Sequence, residues 1–279
     1  MEEHVKQGIQ RTFEHFGYKI SKIDGGVNPL DPIWPLPRRN GSMSDDQIRA
    51  EFAKYDAWHY GFEFEGGLAF PVRGGSPGGV NRPLQRFRHF MPYLLQAQGG
   101  SLRGKRILDI ACNSGFWSIQ CALLGADVLG FDARPVLIEQ ANLVKSIVGL
   151  KNVEFRLLDF WDIKSLSEKF DVVLNLGILY HLPEPLEVLS LTREMSRRHI
   201  LLDTEVYLSA DAAIRLRWEE PIEVRSAVDS GIVAVPSRSS IDLMLRDIGA
   251  VEWFEIPIRS SDMPPDYLDH WRASWLITV

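Results

Sequence analysis

The chain has 279 residues, of which 45% are hydrophobic and 24% charged, and its formal net charge is -6. These values describe a globular protein with one large domain, or one domain and an appendage, and they argue against strong nonspecific nucleic-acid binding. No apolar run approaches the ~20 residues that cross a bilayer. The acidic start Met1-Glu2-Glu3-His4 lacks a signal-peptide core, and the two cysteines, Cys112 and Cys121, have no metal spacing and are too few for a disulfide framework. A cytoplasmic protein with no metal site and no membrane partner is expected.

The first hundred residues read as an N-terminal extension. Val5, Ile9, Phe13 and Phe16 predict a short amphipathic helix over 1–20. Residues 24–41, with Pro29, Pro32, Pro35 and Pro37, are loop, which Trp34 and Leu36 can pin to the body. Ser44-Asp45-Asp46-Gln47 has capping-box form and opens a helix to about Lys54. The aromatic stretch 55–64 has two readings: a strand packed on the core, or a lid whose Trp58, His59 and Tyr60 line the substrate side. Gly66-Gly67 and the glycines of 74–79 bracket a hairpin. A helix over about 83–98 turns Leu84, Phe87, Met91, Leu94 and Leu95 inward. Its Arg82, Arg86 and Arg88, with Arg103, Lys105 and Arg106, form the most basic stretch, either a solvated face or a docking patch for a phosphorylated or RNA substrate.

From residue 105 strands and helices alternate as in a parallel sheet covered on both faces. Strands are predicted at 106–111, 126–131, 153–158, 171–176 and 199–204. Helices are predicted at 115–124, at 135–148 between Pro135 and Gly149, and at about 185–196. Residues 207–236 break this rhythm and read as an insertion over the carboxyl edge of the sheet. Ser237 caps a helix to about Ile248; strand 251–258, loop 259–270 and strand 272–279 close the chain as a hairpin.

The stretch Arg106–Ser118 organises the rest. Its strand runs into the small-residue loop Ala111-Cys112-Asn113-Ser114-Gly115 and then a helix, an opening in which helix amides can face a ligand's carboxylate. An acid, Asp132, follows about 20 residues later at the next strand end, where it can accept from both ribose hydroxyls. A dinucleotide loop needs glycine at its first, third and sixth positions; counted from Ala111 these are Ala111, Asn113 and Phe116. A Walker loop's Gly-Lys-Ser/Thr ending is absent. A ligand with ribose and adenine but no phosphate fits better.

Leu108-Asp109-Ile110-Ala111-Cys112-Asn113-Ser114-Gly115 resembles the first motif of class I S-adenosylmethionine (SAM)-dependent methyltransferases, although that family's loop carries more glycine. The resemblance is good over about 100–205 and looser in the terminal hairpin. It implies an α/β, Rossmann-like, seven-stranded, mostly parallel sheet ending in an antiparallel hairpin, with residues 101–279 as the methyltransferase domain and SAM as cofactor. Leu179-Tyr180-His181-Leu182-Pro183 is similar to a phrase of tRNA wobble-uridine (carboxy)methyltransferase-like proteins.

Ligands of such sheets bind beyond the carboxyl ends of the strands. There Asp109, Ala111, Cys112, Asn113, Gly115 and Phe116 approach the methionine part, and Asp132, with Ala133 and Arg134, holds the ribose. Asp159 accepts from adenine or simply caps its loop, Phe160 or Trp161 packs on the ring or in the core, and Asn175 and Gly177 face the methionine end. A hydroxyl acceptor needs a base: His181 is the first candidate, with a structural role beneath the cofactor as the alternative, then Glu205 and, if the lid reading holds, His59. Trp58, Tyr60, Tyr180, Tyr207 and Trp218 are candidate substrate contacts. The preferred reading is methyl transfer to a small-molecule, natural-product-like oxygen or nitrogen. The alternatives are a tRNA-modifying (carboxy)methyltransferase and a noncatalytic SAM-binding protein. A carboxylated SAM would want an extra cation facing the sulfonium, which sequence alone does not place.

Overall fold

A computed structural model describes residues 34–73, 82–220 and 231–279. The expected helix over 1–20, the glycines of 74–79 and the centre of the insertion lie outside the described residues. The described elements, in chain order, begin with α1 (Asp45–Ala53), β1 (Phe62–Glu63), β2 (Ala69–Phe70), α2 (Arg82–Ala97), β3 (Arg106–Ile110) and α3 (Phe116–Leu123). They continue with β4 (Asp127–Asp132), α4 (Pro135–Val148), β5 (Val153–Leu157), β6 (Phe170–Leu176), α5 (Pro185–Met195) and β7 (Ser196–Glu205). The chain closes with β8 (Ile214–Trp218), β9 (Ile232–Pro236), α6 (Arg238–Asp247), β10 (Glu252–Glu255), α7 (Pro265–Leu268) and β11 (Arg272–Thr278). Short 3-10 turns cover Phe160–Ser165 and Leu179–His181.

The main sheet has seven strands in the order β10-β11-β7-β6-β3-β4-β5. The five strands from β3 to β7 are parallel. β11 runs antiparallel to β7, from Arg272 opposite Glu205 to Thr278 opposite His199, and β10 pairs antiparallel with β11. The chain has the α/β, Rossmann-like architecture with helices on both faces.

Each strand residue turns to the face opposite its neighbour's, so two cores form. Ile107, Val172, Leu174 and Leu201 join Phe87, Met91 and Leu94 of α2, Ile119 of α3 and Val144 of α4 on one face. Leu108, Ile110, Val173, Ile200 and Leu202 join Val188 and Leu189 of α5 and Ile241 and Leu245 of α6 on the other.

Local signals set the helix ends. Ser44 and Gln47 form a reciprocal capping box at α1, and Ser237 accepts from Ser240 N–H at α6. Pro135 opens α4, and Gly149, at φ 78°, closes it.

Three regions gain definition. The aromatic stretch is not a lid at Trp58: its indole stacks on Phe52 with centroids 4.2 Å apart, and its N–H donates to Phe52 O. Ile48, Phe52, Trp58, Phe62 and Phe64 share the α2–α3 core. The outer parts of the insertion are an ordered antiparallel hairpin, β8 on β9. Finally, loop 259–270 contains α7, which starts on the Pro264-Pro265 pair.

Candidate functional site

The loop after β3 is left-handed at every second residue: Ala111 at φ 51°, Asn113 at φ 54° and Gly115 at φ 82°. Asparagine tolerates this region and alanine is strained there by ~1–2 kcal/mol. Gly115 has no substitute, because a Cβ would stand 2.6 Å from the Phe155 ring. The alternation turns successive amides inward. Asp132, at the end of β4, accepts from Asn113 N–H (3.0 Å) and Arg134 N–H (3.0 Å), and so ties the loops after β3 and β4 together. Cys112 N–H donates to Phe131 O, and Ser114 N–H to Asn113 Oδ1. Ser114 Oγ, also buried, has no hydrogen-bond partner among the described residues. A cradle of small residues with an unmatched hydroxyl and an acid at its rim fits the adenosine and amino-acid parts of SAM.

Asp109 lies beneath the loop, where it accepts from Ser118 Oγ at 2.6 Å. Gly130 makes room for that contact, since a Cβ there would stand 2.7 Å from Ser118 Oγ. Burial pushes the Asp109 carboxyl up to about 7, against the pull of the Ser118 hydrogen bonds and with help from nearby Asp132. Burial also raises Asp132, against the amides it accepts from. The Cys112 thiol is buried and pushed well up, so it is a small loop residue and not a nucleophile.

Asp159, two residues beyond β5, accepts from Trp161 N–H at 2.9 Å and caps the 3-10 turn. Phe160 is buried in the second core, so it cannot cover an adenine; Trp161, 37% exposed, stays at the surface. The Phe116 side chain likewise belongs to the core, packed among Tyr60, Phe62 and Phe87. Asn175 turns under the sheet and donates to Thr192 Oγ1 of α5 (3.0 Å), so its side chain faces a helix and not the methionine end. Gly177, at φ 123°, leaves space for Arg272: a Cβ would stand 2.9 Å from Nη2.

Beyond β6, His181 Nδ1 stands 2.8 Å from Glu219 Oε2. Arg217 pairs with Glu205 at 2.9 Å and reaches Glu219 at 3.9 Å. Two candidate bases, His181 and Glu205, are thus brought into one charged chain, in which Glu205 is neutralised by a guanidinium. Tyr180 stacks near His181, with centroids 4.1 Å apart, and lies 5.1 Å under the Arg272 guanidinium. Tyr60 is buried and interacts electrostatically with Arg86, Asp109, Arg272 and Tyr180; burial pushes its hydroxyl up to about 12. His59 stands beside Tyr60, with ring centroids 5.0 Å apart.

Trp218 falls on the other face of β8 from Arg217 and Glu219, 65% exposed and bonded to Glu220. It therefore does not share the His181 side of the hairpin. Tyr207 lies at the hairpin base with Arg215 over its ring.

Sequence reasoning missed the buried centre of this edge. Asp203, at the end of β7, accepts from Arg86 (2.7 Å), Arg272 (2.6 Å), Tyr267 (2.7 Å) and Ser274. Arg86 also donates to Leu176 O, which fastens α2 to β6. Burial alone would raise the Asp203 carboxyl, but Arg272, Arg86, Ser274 and Tyr267 hold it down at about 2. The available signal was a charge ending the apolar run Ile200-Leu201-Leu202, with an arginine opening the last strand. Among the described residues no cluster of His, Cys, Asp and Glu has the form of a metal site, and no helix is long and apolar enough to cross a membrane.

Residues 101–216 match the family described as "Methyltransferase domain". A ubiquinone biosynthesis O-methyltransferase of Cereibacter sphaeroides is 41% identical over 93 residues, 33% of this chain and 37% of that protein. A tRNA U34 carboxymethyltransferase of Helicobacter hepaticus is 29% identical over 133 residues, 44% of this chain and 42% of that protein. The chain thus spans about two fifths of the length of these curated relatives. The N-terminal domain of EvdMO1, crystallised with SAH bound, has a TM-score of 0.65 and 27% identity over 86% of this chain and 98% of that one. The left-handed loop closed by Asp132, on a sheet of this order and beside these relatives, makes residues 101–216 a methyltransferase domain of the class I SAM-dependent family.

Proposed function

We propose that this protein transfers the methyl group of SAM to an oxygen or nitrogen of a small-molecule acceptor. When bound, SAM supplies a methyl carbon made electrophilic by its sulfonium. The protein's own task is to hold the acceptor in line with that carbon, where orientation contributes ~7–11 kcal/mol. Asp132 and the small-residue cradle of 111–115, with the unmatched Ser114 hydroxyl, hold the cofactor, and Asp159 adds a carboxylate one strand along. Tyr60 and Tyr180 wall the methionine end, and His181 takes the proton of a hydroxyl acceptor.

The observation that favours a small acceptor over RNA is the use made of the basic stretch. Arg86 is buried on Asp203, Arg82 is paired with Asp266, and Arg106 with Glu168. These three of the six cations in the stretch serve the fold, which draws half of it away from phosphate contact. EvdMO1's N-terminal domain was also crystallised in the presence of SAH and D-fucose, a small polyhydroxylated molecule.

One observation favours a second reading of the donor. Arg272 stands against Gly177, where the reactive carbon would lie, and is a cation of the kind a carboxylated SAM would want. The test is SAH formation by the intact protein from SAM, or from carboxylated SAM, with sugars, phenols and amines or with bulk tRNA. Turnover of SAM on a small molecule supports the proposal. Turnover confined to tRNA overturns the small-acceptor reading, and turnover confined to the carboxylated donor overturns methyl transfer.

A further inference from the structure

His181 ends the 3-10 turn after β6, and its backbone N–H donates to Ile178 O. Its partner comes from elsewhere in the fold. Glu219 follows β8, 38 residues later in the chain, and its Oε2 meets His181 Nδ1 at 2.8 Å. The two side chains are only 18% and 20% exposed, so the contact is sheltered from solvent. The register of the hairpin explains the delivery. Residues Arg215, Arg217 and Glu219 alternate onto one face, and Ile214, Leu216 and Trp218 onto the other. The polar face meets Tyr207, Glu205 and His181 in turn.

An ionised carboxylate only accepts hydrogen bonds, so the pairing requires the proton of neutral His181 on Nδ1. Nε2 then carries the lone pair and points away from Glu219. Tyr180, packed on His181, and Arg272, packed on Tyr180 and against Gly177, place this imidazole on the methionine side of the edge.

We propose that Glu219 is a positioning residue, which the β8–β9 hairpin supplies to hold His181 with Nδ1 protonated and Nε2 open to the acceptor. This rests on His181 as the base. The acceptor's O–H proton passes to Nε2 while its oxygen lone pair forms the bond to the methyl carbon. The electrons of the broken C–S bond stay on sulfur, and the imidazolium, stabilised by Glu219, returns its proton to solvent. Among the described residues, the charged groups placed around the imidazole include Glu219 itself, Arg217 and Glu205 behind it, and Arg272 beyond Tyr180.

The test is nitrogen-15 NMR of the imidazoles in the intact protein, with the His181 signals assigned by their loss in His181→Gln. The expected wild-type signature is a neutral His181 protonated at Nδ1. In Glu219→Gln the turnover on a hydroxyl acceptor should fall about tenfold with SAM affinity kept, because the charge that stabilises the imidazolium is gone. In Glu219→Ala the neutral proton should move to Nε2. An Nε2-protonated wild type, or full turnover in Glu219→Gln, overturns the proposal; Glu219→Gln keeps it testable if Glu219→Ala does not fold. The underlying reading fails differently. If His181→Ala keeps full turnover on an accepted small molecule while the NMR signature holds, His181 is not the base and the pair is structural only.

Discussion

Asp132 Oδ2 accepts the backbone N–H of Asn113 at 3.0 Å. The acid that ends one strand therefore fastens the left-handed loop that leaves its neighbour. Asp132→Ala removes the acceptor of two amides, Asn113 and Arg134, so the protein should lose about 1–3 kcal/mol of stability in urea titration. Hydrogen exchange should quicken at these two amides before it does elsewhere in the sheet.

Ala111 holds φ 51° without the freedom of glycine. Ala111→Gly should stabilise the protein by about 0.5–1 kcal/mol, the relief of left-handed strain less the greater entropy of the unfolded chain. Gly115→Ala should do the opposite and cost more than 2 kcal/mol, because the added methyl meets Phe155 and Ala141 as well as the strained backbone. Paired melting curves separate these outcomes.

Two buried carboxyls carry opposite pH signatures. Asp203 is held at about 2, below its ordinary 3.8, so its stabilising contribution is present above about pH 4 and is lost as pH falls toward 2. Asp109 is raised to about 7, so the unfolded chain ionises first and the contribution of this group falls as pH rises from about 4 to 7. Asp109→Asn should therefore be more stable than wild type at pH 8 by about 1–3 kcal/mol, with the gap closing below pH 4. Asp203→Asn should cost about 3–5 kcal/mol at pH 7, since it strands the buried guanidinium groups of Arg86 and Arg272. Melts across pH 3 to 9 check both.

His181→Ala should lower turnover on a hydroxyl acceptor by ~100-fold or more, while SAM affinity changes little. An equal loss in both quantities would assign His181 to holding the cofactor. Calorimetry beside steady-state kinetics reads the two separately.

The sheet was legible because its strands are buried on both faces and read as apolar runs, such as Ile107-Leu108 and Val172-Val173-Leu174. Helix limits were legible from Ser44, Pro135, Gly149 and Ser237, whose backbone roles are local. The short helix Pro265–Leu268 was missed because four residues are too few for a period to register. The buried Asp203 centre was hidden for another reason: its partners lie 117 and 69 residues away, and Arg86 reads in sequence like any exposed helix arginine. The aromatic stretch left core packing and a lid both open, because composition does not say which way a ring faces; stacking on Phe52 puts Trp58 in the core. Asn175 was placed near the end of its strand, but its side chain turns to Thr192 of α5; Trp218 was read as part of an insertion, and alternation along β8 sets it on the face away from His181.

Titration calorimetry of the intact protein with SAM, repeated on Asp132→Ala, tests the cofactor site most directly. Wild type should bind one SAM per chain, and Asp132→Ala should bind it ~10-fold or more weakly, the worth of hydrogen bonds to a charged acceptor. No heat with wild type, or equal affinity in the two proteins, would contradict a SAM site at the end of β4.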